Sequence, residues 1–147
     1  MVSKSKVKGS KFERDIADKF NEEIIDGKFK RVAGSGALGT VLDEPALMGD
    51  VKGSVPSIPR EMKIECKVGY GGASQLTFKR EWLNKIIMEA KSVWGLGFLV
   101  GKFSGARKAD GVQEFVVLAI EDFIWLVNNT TKLRDELDSM YDKIAES

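Results

Sequence analysis

The chain has 147 residues, 43% hydrophobic and 31% charged, which suffices for one compact core and leaves little for a second, so a single domain over residues 1–147 is expected. One cysteine and no histidine exclude a disulfide framework, cysteine and histidine zinc sites and histidine-dependent triads; any metal should be a hard ion on oxygen ligands, magnesium or manganese fitting best. The net charge of +1 hides a basic front (Lys4, Lys6, Lys8, Lys11) and an acidic tail (Asp135, Glu136, Asp138, Asp142, Glu146).

Residues 1–8 read as a flexible basic terminus. No stretch approaches the roughly 18 apolar residues of a membrane span, and no apolar signal core follows the basic start, so a soluble, cytoplasmic protein is expected. From Ser10, the residues Phe12, Ile16, Phe20 and Ile24 recur at helical spacing and predict a helix ending near Asp26 and Gly27. Phe29 to Ala33 reads as a short strand. Gly34 to Arg60 reads as a long loop with one brief strand around Asp50 and Val51, residues 34–48 being mobile. Within it Gly34-Ser35-Gly36-Ala37-Leu38-Gly39 matches a dinucleotide-binding fingerprint, but Pro45 and a patternless stretch stand where the required helix should run.

Met62, Ile64, Cys66 and Val68 alternate with Glu61, Lys63, Glu65 and Lys67, the period of a strand with one face in the core. A helix is predicted over Gln75 to Val93, with Phe78, Trp82, Leu83, Ile86, Ile87 and Ala90 inward. Leu96 to Phe103 and Glu114 to Ile120 read as strands, the second apolar enough to be buried on both faces. Two helices close the chain, Asp122 to Val127 and Thr131 to Ala145, the latter with Leu133, Leu137, Met140, Tyr141 and Ile144 along one side. The three tryptophans, Trp82, Trp94 and Trp125, sit in apolar patterns that suit the core. This order suits an α/β domain with a mixed central sheet.

Glu65 and Lys67 are two apart on one strand and so share a face, with Asp50 on the segment before. Two carboxylates from different strands can hold a divalent ion that polarises a phosphodiester, while the lysine orients water or offsets transition-state charge. Cys66 points the other way, leaving its backbone carbonyl as a further oxygen ligand. The same alternation of sign also describes a solvated salt-bridge ladder. Lys79, Arg80 and Lys85 read either as a phosphate-tracking surface or as an ordinary solvated helix face.

Lys8-Gly-Ser-Lys-Phe-Glu13-Arg-Asp-Ile-Ala17, Arg31-Val-Ala-Gly-Ser35-Gly36, Gly49-Asp50-Val51, Ile64-Glu65-Cys66-Lys67 and Gln75 occur in an order that resembles the PD-(D/E)XK nuclease superfamily. Within it, the chain from Lys8 to Phe103 is most similar to the archaeal-type Holliday junction resolvases, viral relatives included. That resemblance implies a restriction-endonuclease-like fold, a central mixed β-sheet flanked by helices. It implies Asp50, Glu65 and the Cys66 carbonyl as Mg2+ ligands, with Mn2+ able to substitute, Lys67 as the catalytic lysine, and Glu13 completing the acidic cluster. Glu13 reads equally as the last residue of a capping box begun by Ser10, and Gln75 as either an active-site polar residue or a helix start. Lys8, Lys11, Arg31, Ser35, Lys79 and Arg80 would meet DNA. Gly49 replaces the proline usual before the first acid, and Asp43 and Glu44 lie nearby in the long loop; Asp50 is preferred because Val51 suits a strand edge.

The implied activity is a structure-selective endonuclease that resolves four-way DNA junctions in recombination and repair, as a homodimer matching the junction's twofold symmetry. Nucleases of the same superfamily acting on flaps, nicks or duplex, and an inactive DNA-binding module, are the alternatives.

Overall fold

The computed structural model describes residues 4–32, 49–105 and 107–147. Helix α1 (Lys4–Glu23) buries Phe12, Ile16 and Ala17. It opens before Ser10, so residues 4–8, expected to be flexible, are helical, and residues 1–3 lie outside the described residues. Ser10 is therefore interior to the helix, and the capping box expected there does not form. The chain leaves α1 through Asp26 in the left-handed region (φ 55).

Strand β1 (Lys28–Arg31) pairs antiparallel with β2 (Val51–Val55), which pairs antiparallel with β3 (Ile58–Val68). Two strands thus occupy ground expected to be mostly loop. The Asn21 side chain satisfies the outer edge of β1, donating to the Phe29 carbonyl at 2.8 Å and accepting from its amide at 2.7 Å. The Phe29 ring lies across Gly53, where any side chain would collide with it.

Helix α2 (Arg80–Lys91) carries the chain from β3 to β4 (Leu96–Lys102), which runs parallel to β3 from Met62 opposite Leu96 to Val68 opposite Lys102. Strand β5 (Glu114–Val117) closes the five-stranded sheet, in order β1-β2-β3-β4-β5, antiparallel to β4. The restriction-endonuclease-like α/β architecture expected from the sequence is present: a mixed sheet flanked by helices.

The α1 face of the sheet holds the main core, with Phe12 and Ile16 against Phe29, Val51, Met62, Ile64, Phe98 and Val100. On the opposite face α2 packs so closely that a methyl group at Gly97 would lie 2.5 Å from the Ile86 carbonyl oxygen. The polar face of β3 is therefore covered as well: Lys63 is only 2% exposed, its Nζ 3.5 Å from Glu61.

Several expected boundaries and burials differ. Helix α2 starts at Arg80, five residues after Gln75, because the chain from Ser74 to Lys79 runs without regular structure. The strand buried on both faces is β4; β5 lies at the sheet edge, where apolar Val116 meets solvent. The two closing helices are one, α3 (Ile120–Ala145), in which the Thr130 and Thr131 hydroxyls donate to the Leu126 and Val127 carbonyls and so fit the helix interior. Trp94, expected in the core, stands exposed after α2, while Trp125 stacks beneath the Arg60 guanidinium at 4.7 Å.

Candidate active site

The site arises from a mismatch in strand length. Strand β2 begins with Val51 opposite Ile64, whereas β3 continues to Val68 with, among the described residues, only β4 beside it. The Asp50 amide still donates to the Ile64 carbonyl at 2.8 Å, and the Asp50 carbonyl accepts from Val32 at 2.9 Å. Beyond that point the Cys66 amide has no strand partner on this side among the described residues, and the Asp50 carboxylate accepts its hydrogen bond at 2.8 Å. The carbonyl of a strand residue points to the same side as its amide, so the Cys66 carbonyl also faces the Asp50 side.

Gly49 enables this approach. Its φ of +80° belongs to the left-handed region, and a side chain there would press on Ile86 at 3.3 Å. Its amide donates to Glu89 of α2, a buried carboxylate. Glycine at the position where a proline was expected thus has a local conformational cause.

Glu65 and Lys67 share the α2 face of β3, with Oε1 and Nζ 3.1 Å apart and both side chains largely covered. Burial first, and the Asp50 charge second, push Glu65 up to about 7, against the opposing pull of Lys67 and Lys85. The Lys67 ammonium also lies 4.7 Å from the Trp82 ring and 5.7 Å from Tyr70. The exposed salt-bridge ladder is therefore not what forms. Burial, with the charges of Asp50, Glu13 and Glu65 adding to it, raises the Cys66 thiol well above its ordinary range, so this sulfur is inert at neutral pH.

Glu13 accepts a hydrogen bond from Arg31 Nε at 2.7 Å, and a terminal Arg31 nitrogen reaches the Ser10 hydroxyl at 3.2 Å. Burial raises the Glu13 carboxyl; the Arg31 bond opposes this and the Asp50 charge adds to it. Glu13 is thus an electrostatic neighbour of Asp50 and not a helix cap.

Among the described residues no group of three or more histidine, cysteine or acidic side chains forms a ready-made metal cage. The donors on offer are the Asp50 and Glu65 carboxylates and the Cys66 carbonyl. These are hard oxygens, and the raised proton affinity of Glu65 beside the Asp50 charge is what a divalent cation would relieve, so the set fits magnesium or manganese.

The expected DNA contacts are scattered. Lys8 donates to Ser104, Lys11 pairs with Asp15 at 2.7 Å, and Arg31 is committed to Glu13 and Ser10. Lys79 and Arg80 stand exposed at the start of α2, and Gln75 is exposed in the segment before it, its carbonyl against Gly71. Ser35 and the loop of residues 34–48 lie outside the described residues.

Three features escaped sequence reasoning. Glu89 joins Lys85, already a candidate cation of this helix, as an electrostatic neighbour of the site, a placement that only the docking of α2 reveals. Tyr70 and Trp82 cover Lys67. Strand register sets Lys30 opposite Lys52 and Lys52 opposite Lys63, a row of three like charges across β1, β2 and β3. Lys30 and Lys52 of that row line a groove of about 640 Å³ together with Lys28 and Arg60, and none of Asp50, Glu65 and Lys67 borders it.

A mixed five-stranded sheet that brings an acid from the start of one strand onto the backbone of a neighbouring Glu-x-Lys strand defines the class as a PD-(D/E)XK nuclease domain. The family model described as "Phage putative PDDEXK endonuclease" matches residues 4–144. The chain belongs to that endonuclease family. Searches of curated proteins and of solved structures returned no match.

Proposed function

We propose that the protein is a magnesium-dependent DNA endonuclease, able to use manganese, that cuts branched DNA and takes the four-way junction as its first substrate. The observation that carries the metal-dependent chemistry is the Asp50 carboxylate on the Cys66 amide, which fixes the acid beside Glu65 and Lys67. A divalent ion held by Asp50, Glu65 and the Cys66 carbonyl would supply Lewis acidity toward the phosphodiester. Lys67, oriented by Glu65 and by the two aromatic rings, presents its positive charge where negative charge gathers in the pentavalent transition state. Glu13 with Arg31 buttresses the acidic side of the site. Lys30, Lys52, Lys79 and Arg80 offer cations for the phosphate backbone.

The junction substrate rests on the resemblance to archaeal-type resolvases. It draws support from α3, which holds no buried residue and exposes Leu133, Leu137, Met140 and Ile144 at alternating four- and three-residue steps. That is the seam of a coiled coil. A second copy covering it would give a homodimer with paired active sites, suited to two symmetric cuts. The same catalytic residues would serve a nuclease of flaps, nicks or duplex.

Labelled four-way junctions, flaps, nicked and linear duplexes are incubated with magnesium or with EDTA, beside Glu65→Ala. Junction cleavage is expected from the wild type with magnesium alone. Cleavage of flaps and not junctions would assign the second reading, and no cleavage of any substrate would refute the enzyme.

A further inference from the structure

The rings that cover Lys67 do not end at Lys67. Tyr70, in the turn after β3, meets Trp82 of α2 edge-on with centroids 4.7 Å apart, and Phe78 meets the same Trp82 ring edge-on at 6.3 Å. Trp82 is half-buried, but Tyr70 is 42% and Phe78 44% exposed. The backbone ties the outer parts together, since the Thr77 amide donates to the Tyr70 carbonyl and that of Trp82 to the Lys79 carbonyl. Three aromatic side chains therefore form one stepped shelf of edge-on rings, with Trp82 and Tyr70 against the ammonium of the Glu-x-Lys strand and Tyr70 and Phe78 partly open to solvent.

Two further observations identify what such a shelf would take. Its rim is cationic: Lys79 Nζ lies 5.8 Å from the Trp82 ring, and Arg80 is exposed on the next residue. The chain also belongs to an endonuclease family, so the polyanion at this rim is a nucleic-acid backbone. A fully paired duplex hides every base face inside its stack and gives exposed rings nothing to cover them. An unpaired nucleotide has a free π face, and aromatic shelves flanked by basic groups bind such bases without regard to sequence.

We propose that Tyr70, Phe78 and Trp82 form a stacking subsite for an unpaired DNA base next to Lys67, which makes the enzyme selective for DNA with unstacked nucleotides at the cut. This deepens the nuclease reading and rests on it for placing the unpaired base at the cut. The stacking itself does not need catalysis. Tyr70 and Phe78 are the specificity-determining residues, because their outer surfaces are available; Trp82 holds them and covers Lys67.

The test separates stacking from cleavage. With EDTA present, a single-stranded oligonucleotide and its duplex, each labelled with a fluorophore, are titrated with the full chain, with Phe78→Ala, Tyr70→Ala, and with the aromatic-conserving Phe78→Tyr and Tyr70→Phe. A base stacked on an aromatic ring contributes enough that each alanine variant should weaken single-strand binding by about fivefold or more and lower the ratio of single-strand to duplex affinity, while the conservative variants restore that ratio. Ultraviolet crosslinking of a 5-iodouracil oligonucleotide, read by mass spectrometry, should mark Tyr70 or Phe78. Equal losses on single strand and duplex, or crosslinks confined to other residues, would overturn the proposal. Stacking that passes both tests in a protein that cuts no DNA would uphold the subsite and refute the nuclease reading, so the two failures remain distinct.

Discussion

Replacing Glu65 by glutamine removes one charge from the site and keeps the side chain's size. In the metal-free protein Glu65 is pushed from an ordinary 4.5 up to about 7 by burial and by Asp50. The native state therefore holds a proton that the unfolded chain releases. A raised carboxyl contributes stability that is complete below about pH 4.5 and is lost as pH climbs through about 7, the window set by that shift. At about 1.4 kcal/mol per pK unit, ionised Glu65 costs the metal-free protein about 3 kcal/mol at pH 8, and a side chain only 16% exposed is little screened. With an unfolding entropy of about 0.3 kcal/mol/K for a chain of this size, that is about 10 °C in Tm. In thermal melts with EDTA, the Glu65→Gln variant should melt up to about 10 °C above wild type at pH 8, and the gap should narrow as both are taken to pH 5.5. Saturating manganese should reverse the order at pH 8 by stabilising the wild type alone. Melting curves of the two proteins that keep a constant separation from pH 5.5 to 8 would refute the electrostatic account of the site.

Lys67→Ala should lower single-turnover DNA cleavage by about a hundredfold or more, since a positioned charge at a transition state contributes on that scale, and should lower Tm in EDTA at pH 8, because it removes the charge that opposes ionised Glu65. Charge reversal of Lys30 and Lys52 together should weaken DNA binding and, if each meets a phosphate, flatten the slope of log affinity against log salt by about 2; anisotropy titrations over a range of potassium chloride measure both. An unchanged slope would remove the β1 and β2 face from the DNA path. If the exposed seam of α3 pairs two copies as proposed, the wild type should scatter light as a dimer and Leu137→Glu as a monomer, with the circular dichroism of the helix as a check on folding.

The alternation from Met62 to Val68 was legible because a strand's period is local, and so was the Glu-x-Lys pair on one face. Its environment was not. A solvated ladder and a buried catalytic pair have the same one-dimensional pattern, and the difference comes from α2 packing on Gly97, a contact between residues far apart in sequence. Ser10 and Glu13 have the spacing of a capping box, but the helix had already begun at Lys4, and Arg31 from β1 took the carboxylate. Val116 and its neighbours are apolar enough for a central strand, yet strand order is a global property and placed β5 at the edge. The break expected at residues 128–130 does not form, and the hydroxyls of Thr130 and Thr131 bond back within the helix.

This division between local and tertiary information also separates the chemistry from the substrate. Asp50, Cys66, Glu65 and Lys67 are held by the sheet: the Cys66 amide, left over beyond the start of β2, positions the acid, and the next residue on β3 supplies the lysine. Groups mounted in this way keep their geometry whatever lies against them, which favours a conserved reaction. The features that would choose among DNA forms sit on elements joined more loosely to that sheet. The aromatic shelf spans the turn after β3 and the segment before α2, and the apolar seam runs along a helix whose second half is exposed throughout. Substitutions there can change which DNA is bound without moving Asp50 or Lys67. The shelf and the seam make separable demands: the shelf asks for an unstacked base at each cut, and the seam asks for two cuts related by a twofold axis. A four-way junction satisfies both when its bases open at the crossover, whereas a flap satisfies the first alone, so the variants at Phe78 and Leu137 should divide the two substrates in different ways.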